Sequence, residues 1–419
     1  MTYIEFFDKS AVENVCTCLL KAPQRVVFVG NNSKQMKRAI GNYEKIFAGR
    51  GQKIELLCRS VPQNDLDAAV KLLTELVETY EDCVFDLTGG EGILMLALGM
   101  VYARNPDKNI QLHKFNVRSN AVTDCDKDGS PVFPVSPTLT VEENIRLHGG
   151  EIHYGEATGR NTYCWDMNED FLRDISAMWD ICKENVRNWN IQIGILEAVE
   201  AVGEEEDGGR TTVAQWEDLE AYLLQRGVAY KKFKNIISAF MKAGLLTWFE
   251  GGYGENVIVS YKNSQVKRCL TKAGQILEMK IFATTRALQD KKGDLIYNDA
   301  QNGVVIDWDG ELHEGEEEAG YDTINEIDIL LMRGLVPIFI SCKNGIVTSD
   351  ELYKLSSVAA RFGGKYAKKV LIATSLSARG EAASYIRQRA EDMGIHIIED
   401  VQDCTEPELE KKLKSLWSN

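Results

Sequence analysis

A carboxylate near the mouth of one strand and a lysine at the end of its neighbour are parts from which phosphodiester hydrolysis is assembled, and the last third of this chain holds such a set. Glu278 lies in a helical stretch, Asn325-Glu326-Ile327-Asp328 opens an apolar run, and Ser341-Cys342-Lys343 closes the next one. The two runs are joined by a tight turn at Arg333-Gly334, so the acid and the lysine converge on one end of a sheet. There Glu278 and Asp328 are placed to hold Mg²⁺ or Mn²⁺, and Lys343 to orient a water and offset charge on a phosphodiester. A second set sits in the first third, where Gly30-Asn31-Asn32-Ser33 and Asp86-Leu87-Thr88-Gly89-Gly90 each follow a short apolar run, the second continuing into Glu91-Gly92. Backbone N–H groups at such strand-to-helix turns suit anionic ligands.

The elements that must position these residues are legible as alternating patterns. Arg25 to Val29, Ile54 to Leu57, Val84 to Leu87 and Ile110 to Val117 read as buried strands, with helices at Lys34 to Ala48, Asp65 to Tyr80 and Ile93 to Ala103. This is a doubly wound α/β pattern, in which ligands sit beyond the carboxyl ends of the strands, where both loops fall. Residues 118–167 are turn-rich and contain a short capped helix ended by Gly149-Gly150, which puts a boundary near 155. Asn168 to Ile193 reads as one long bridging helix, and Gly203 to Gly209 as an acidic solvated loop. Residues 211–262 give two helices and two β-like pieces, a winged-helix pattern in which Lys231, Lys232 and Lys234 are available to phosphates. The C-terminal third reads as a second α/β unit: a helix from Leu270 to Leu288, strands at Gly303 to Trp308, Glu326 to Leu331, Pro337 to Cys342, Lys369 to Thr374 and Ile395 to Ile398, and helices at Ser349 to Phe362 and Arg379 to Met393.

A chain of 419 residues with this succession accommodates three units: 1–155, 156–265 and 266–419. Its formal charge of −15 divides as −3 over 1–160, −5 over 161–270 and −7 over 271–419, so no third offers a bulk positive field to nucleic acid. A polyanion must then be held by a local patch or through metal ions. The acidic N-terminus has no apolar signal segment, and no window approaches about 18 uninterrupted apolar residues, which points to a cytoplasmic protein with no membrane partner. The 10 cysteines show no CxxC pairing and read as buried thiols rather than zinc ligands.

The Asp328 and Lys343 element with Glu278 upstream resembles the PD-(D/E)xK nuclease pattern. Asp86-Leu87-Thr88-Gly89-Gly90 resembles the ligand loop of CARF domains, the Rossmann-like sensors of cyclic oligoadenylate. In this order, with a winged-helix-like connector between, the chain resembles over nearly its whole length the CRISPR ancillary nucleases of type III systems, the Card/Can group. The resemblance implies a homodimer in which two CARF units share cyclic tetra-adenylate across a two-fold axis. It implies that Gly30, Asn31, Asn32 and Ser33 line the ring, with Thr88, Gly89 and Gly90 giving backbone N–H groups to its phosphates. It also implies that the restriction-endonuclease-like unit cleaves DNA, RNA or both when ligand moves the protomers.

Two departures from the family pattern matter. Many CARF loops continue with Thr-Lys where this chain has Glu91-Gly92, so a basic phosphate partner is missing and Glu91 either faces away or meets ribose hydroxyls. The family acid two residues before the lysine is Ser341 here, a poorer ligand for a hard cation, and metal affinity and turnover are expected to fall. Ser341 reads as an introduced inactivating substitution, as a natural variant compensated by Glu326 or Glu278, or as the mark of a sensor without activity. Alternatives from other classes are a ligand-sensing transcriptional regulator using the winged element and a ring nuclease that degrades its own activator. Lys365, after Gly363-Gly364, is a candidate nucleic-acid contact, and the run Glu314 to Glu318 a solvated loop near the metal site. His113, His148, His153, His313 and His396 are dispersed without ligand spacing and read as structural or exposed.

Overall fold

In the computed structural model the N-terminal unit begins one strand earlier than the pattern suggests. Thr2-Tyr3-Ile4-Glu5-Phe6 forms β1 (Thr2–Phe6), at the centre of a six-stranded sheet, its glutamate buried with the apolar residues. The structure describes the whole chain except residues 21, 117–118, 127, 155–160, 231–233, 311–323, 377–379 and 417–419. The chain continues through β2 (Arg25–Gly30), α1 (Ser33–Gly49), β3 (Glu55–Ser60), α2 (Leu66–Thr79), β4 (Asp82–Asp86), α3 (Gly92–Arg104), β5 (Asn109–Asn116) and β6 (Ala121–Asp124). The strand order is β3-β2-β1-β4-β5-β6, parallel except for the β5–β6 pair. Consecutive β1 residues go to opposite faces: Tyr3 joins one apolar cluster, and Ile4 and Phe6 another beneath α2 and α3. The order reverses between β1 and β4, and there the sheet opens the crevice in which doubly wound folds bind ligands.

After α4 (Val141–Leu147), closed by a Thr140/Glu143 capping box, β7 (Glu151–Ile152) leaves the first sheet and pairs with the C-terminal one, Ile152 opposite Ile306. The boundary expected near 155 thus falls just past a strand that completes the last sheet. The expected bridging helix is two, α5 (Glu169–Glu184) and α6 (Val186–Val202), because Asn185 leaves the helical conformation and its side chain caps α6. The acidic segment expected as a loop contributes β8 (Glu204–Glu206), an exposed edge strand ahead of a short 3-10 turn. With β9 (Thr211–Ala214), α7 (Trp216–Gln225), α8 (Lys234–Lys242), β10 (Leu246–Glu250) and β11 (Val257–Tyr261) it forms a winged-helix-like connector of strand order β10-β11-β9-β8. Lys231 and Lys232 lie outside the described residues.

The helix expected from Leu270 begins only at Gln275, as α10 (Gln275–Ala287); a separate α9 (Ser264–Leu270) precedes it, and Thr271 to Gly274 lie between the two. Then come β12 (Asp299–Asp307), β13 (Ile324–Arg333), β14 (Val336–Lys343), α11 (Ser349–Phe362), β15 (Lys368–Ala373), α12 (Gly380–Asp392), β16 (Ile395–Ile398) and α13 (Glu406–Ser415). The sheet order is β16-β15-β14-β13-β12-β7, antiparallel through β12, β13 and β14 and parallel from β14 to β16. Its two faces feed different apolar clusters, but the alternation slips at one place. Ile327 and Leu330 on β13 share a cluster although three residues apart, and on β12 Val304 and Ile306 join that cluster while Ala300, an even number of residues away, packs against the other. Gly303, with φ +59°, stands at the slip on β12, and Asp328 stands at it on β13.

Candidate functional site

The slip delivers Asp328 to the C-terminal end of β14. Its Oδ2 accepts the Cys342 N–H at 2.6 Å and the Ser341 hydroxyl at 3.2 Å. Its backbone carbonyl accepts Asn302 Nδ2 at 2.9 Å, and Asn302 in turn takes Gln275 Nε2 at 3.3 Å. Gln275 also donates to Glu278 Oε2 at 3.0 Å, so the first turn of α10 is tied to the slipped strands by an amide chain. Glu278 is buried, 5% exposed. Burial, and then the charge of Asp328, push its carboxyl up to about 8. Burial raises Asp328 as well, opposed by Lys343 and the Cys342 N–H.

Lys343 faces the same cleft. Burial pulls its ammonium down, but Asp328 and an ion pair to Glu351 at 2.9 Å leave it above its ordinary value. The cleft, about 290 Å³, lies between the β13 and β14 ends and α11, with Glu326, Asp328, Ser341, Lys343, Glu351 and Lys354 on its walls. Lys272 reaches in from the break before α10 and pairs with Glu326 at 2.8 Å. The structure thus brings Glu278, Asp328, Ser341 and Lys343 to one place. Lys272, Gln275, Asn302 and Glu351 were not read from the sequence. The spacing of Gln275 and Glu278, three residues apart, was the available signal, since it puts them on one side of a helical turn; Lys272 stands ahead of the helix.

Among the described residues no cluster of three or more His, Cys, Asp or Glu side chains stands ready to hold a metal. Glu278 and Asp328 nevertheless fit a hard divalent cation: they are two oxygen donors near enough to repel one another, burial and then that repulsion keep a proton on Glu278, and a cation offsets both. Ser341 adds a neutral oxygen where a third carboxylate would complete the set.

The two Gly-containing loops of the N-terminal unit lie at the crevice of the first sheet. Gly30 is buried at the end of β2, Asn31 and Asn32 are exposed, and Ser33 begins α1. Asn32 caps α1 by accepting the Gln35 N–H at 3.0 Å, so its oxygen is occupied. Asn31 Nδ2 donates to Glu91, which joins the two loops and answers where the unexpected Glu91 points. The donors expected for ligand phosphates are partly used by the chain itself. Thr88 N–H and hydroxyl go to Asp86 Oδ1 at 2.7 and 2.5 Å, and its hydroxyl accepts the Phe115 N–H at 2.8 Å. Gly90 N–H goes to Asp8 Oδ2 at 3.0 Å, and Ser10 N–H to Asp8 Oδ1 at 2.8 Å. The Asp8 carboxylate therefore sits where an anion would. Gly90, with φ +99°, presses so close to β1 that an added Cβ would lie 2.3 Å from the Phe6 Cβ, which excludes any side chain. Beneath the loop, Glu5 and Asp86 are paired across β1 and β4, and burial raises the Glu5 carboxyl well above its ordinary value.

Lys365 is not a free cation on the surface. Its ammonium pairs with the buried Glu13 of the N-terminal unit and stands 5.0 Å from the Tyr366 ring centre. Of the histidines, His113 and His153 are buried, His148 is held by the Asn144 carbonyl, and His396 is exposed. His313 and the run from Glu314 to Glu318 lie outside the described residues. Among the described residues no helix is long and apolar enough to cross a membrane.

No protein-family model matches the chain, and no curated protein does. Solved structures do. Protein VC1899 from Vibrio cholerae superposes with a TM-score of 0.70 at 17% identity, over 100% of this chain and 99% of that one. Can2 from Sulfobacillus thermosulfidooxidans, solved in complex with cyclic tetra-adenylate, gives 0.64 at 16% identity, over 98% and 99%. From the first strand to the last helix, the chain has the fold shared by VC1899 and Can2.

Proposed function

We propose that the chain is a nuclease governed by cyclic oligoadenylate, in which the N-terminal unit senses the ligand and the C-terminal cleft cleaves DNA, RNA or both in type III CRISPR defence. The observation that carries the reading is Asp328 and Lys343 on the walls of one cleft at the end of a sheet, with the buried Glu278 behind them close enough to feel both charges. The fold shared with Can2, whose structure contains cyclic tetra-adenylate, supports that ring as the activator. Two copies would pair so that their crevices face one another across a two-fold axis, each reading half of the ring.

Glu278 and Asp328 would hold Mg²⁺ or Mn²⁺, which when bound supplies positive charge for the scissile phosphate and lowers the pKa of its water. Asp328 is fixed by the Cys342 N–H and the Ser341 hydroxyl. Lys343, charged and aimed at the cleft, orients the attacking water and offsets charge on the phosphodiester. Lys272 and Lys354 offer further positive charge to the substrate backbone in an otherwise acidic unit. With serine at position 341 the site lacks one carboxylate, so turnover is low in this chain.

Cleavage of plasmid and single-stranded RNA with Mn²⁺, with and without cyclic tetra-adenylate, tests the reading on this chain and on Ser341→Glu. Ligand-dependent cleavage that rises at least about tenfold in Ser341→Glu, and is lost with EDTA and with Asp328→Ala, is the expected result. Unchanged activity in Ser341→Glu would sink the impairment reading. Sequence-specific duplex binding without cleavage by either chain would instead favour a regulator.

A further inference from the structure

One helix touches both candidate sites. At its first turn α11 presents Glu351 to Lys343. About 21 Å further on, at 1.5 Å per residue over its 14 residues, the turn Gly364–Tyr366 that follows it meets the sensor unit. There Tyr366 donates its hydroxyl to Glu13 Oε1 at 2.7 Å, and Lys365 pairs with the same oxygen. Glu13 is buried, with 1% of its side chain exposed, and both of these partners come from the C-terminal unit. A buried carboxylate held this way resists separation from its partners, because leaving it unpaired costs several kcal/mol.

Glu13 also backs the ligand loop. A Cβ added to Gly89 would lie 2.8 Å from the Asp8 Cβ and 3.0 Å from the Glu13 Cβ. Asp8 holds the Gly90 N–H, the position an anionic ligand would claim. A phosphate arriving there must displace Asp8, and the segment from Asp8 to Glu13 is short and closed on itself by the Asn14 amide, which donates to the Asp8 carbonyl at 2.9 Å. Displacement of Asp8 therefore moves Glu13, and with it the turn after α11.

We infer that α11 is the rod through which the sensor loop sets the position of Lys343, with Glu13 and Tyr366 as the grip at one end and Glu351 as the positioning residue at the other. The inference rests on the proposed roles of the loop and of Lys343, and adds the route between them. Coupling of this kind is a free energy shared by two sites, and it needs a contiguous element that both can bias.

Amide hydrogen exchange on the full chain tests it without ligand or substrate. Gly89→Ala forces the Asp8 and Glu13 backbones to give way, and is expected to speed exchange about fivefold both in residues 364–366 and in the first turn of α11. Asp8→Asn, which adds no volume, is expected to move the same two segments should Gly89→Ala fail to fold. Gly41→Ala, where an added methyl meets nothing within 4 Å, is the control and changes neither segment. Adding Tyr366→Phe to Gly89→Ala is expected to erase the response at the first turn of α11. A loop that responds while the first turn of α11 does not would overturn the inference.

A cleavage arm separates its failure from that of the proposed function. In the Ser341→Glu chain, Glu351→Gln is expected to lower activation by cyclic tetra-adenylate about tenfold with KM for nucleic acid unchanged. Unchanged activation would count against the role of Glu351. Absence of cleavage in every chain, with the exchange response intact, would refute the nuclease reading and leave the mechanical route standing.

Discussion

Replacing Glu278 with glutamine should make this protein more stable at alkaline pH and leave it nearly unchanged at pH 4. The Glu278 carboxyl titrates at about 8 in the folded chain against its ordinary 4.5, with burial the main cause and Asp328 the second. Between these values the native state keeps a proton that the unfolded chain has released, so stability falls as pH rises through that window. At 1.36 kcal/mol per pKa unit the full penalty has a ceiling of roughly 5 kcal/mol, and relaxation of the pair with Asp328 brings the expected value nearer 2 to 3 kcal/mol. Glutamine keeps the shape and can still accept from Gln275, so its loss of charge is the main change. Urea unfolding of the two chains at pH 6 and at pH 9 measures the effect. The wild type should lose between them the share of that penalty that lies above pH 6, about 1 to 2 kcal/mol, while Glu278→Gln stays flat, and millimolar Mn²⁺ should restore the wild type alone at pH 9. Parallel pH profiles for the two chains would refute both the buried proton and its pairing with Asp328.

Two further outcomes follow from the same geometry. His148 is held neutral, its ring pushed down to about 4 mainly by burial. The unfolded chain binds the proton first as pH falls from 6.5 toward 4, so stability drops by about 2 kcal/mol over that range and His148→Gln flattens the acid limb of the urea midpoint against pH. Thr88→Val leaves the Phe115 N–H without its acceptor and takes a donor from Asp86, for a loss of about 1 to 3 kcal/mol in the same assay and a weakened grip on cyclic tetra-adenylate by calorimetry.

The sheets were legible where apolar runs are uninterrupted. β2, β4 and β14 stand within a residue or two of the pattern read for them. β1 escaped because Glu5 sits in its middle, and a buried acid breaks the signal that marks a buried strand. The two helix breaks escaped because Asn185 and the Thr271 to Gly274 turn lie inside stretches whose apolar spacing carries on across them. Asp328, Ser341 and Lys343 were legible because their spacing follows the ends of two neighbouring strands, and Glu278 as an acid on the helix ahead of them. Glu13 meets Tyr366 and Lys365 from the far end of the chain, Asp8 meets Gly90 across the first sheet and Glu351 reaches Lys343 over a strand-to-helix turn, and such contacts leave no local period to read.

Both a polar and an apolar seam run across the expected boundary near 155 rather than along it. One apolar cluster includes Tyr3 and Phe28 of the first sheet, Ile145 and Ile152 of the crossing segment, and Phe339 and Phe362 of the last. The crossing segment is stitched down by Leu139 N–H to the Gly334 carbonyl at 3.0 Å, Val141 N–H to Asp299 at 2.7 Å and Asn144 to the Phe362 carbonyl at 2.9 Å. An N-terminal and a C-terminal unit joined this way are not interchangeable parts. Grafting the first 155 residues onto a foreign effector would strip an edge strand from one sheet and bare the apolar face of the other, so recombination that shuffles whole units is open to this architecture only if the seam travels with them.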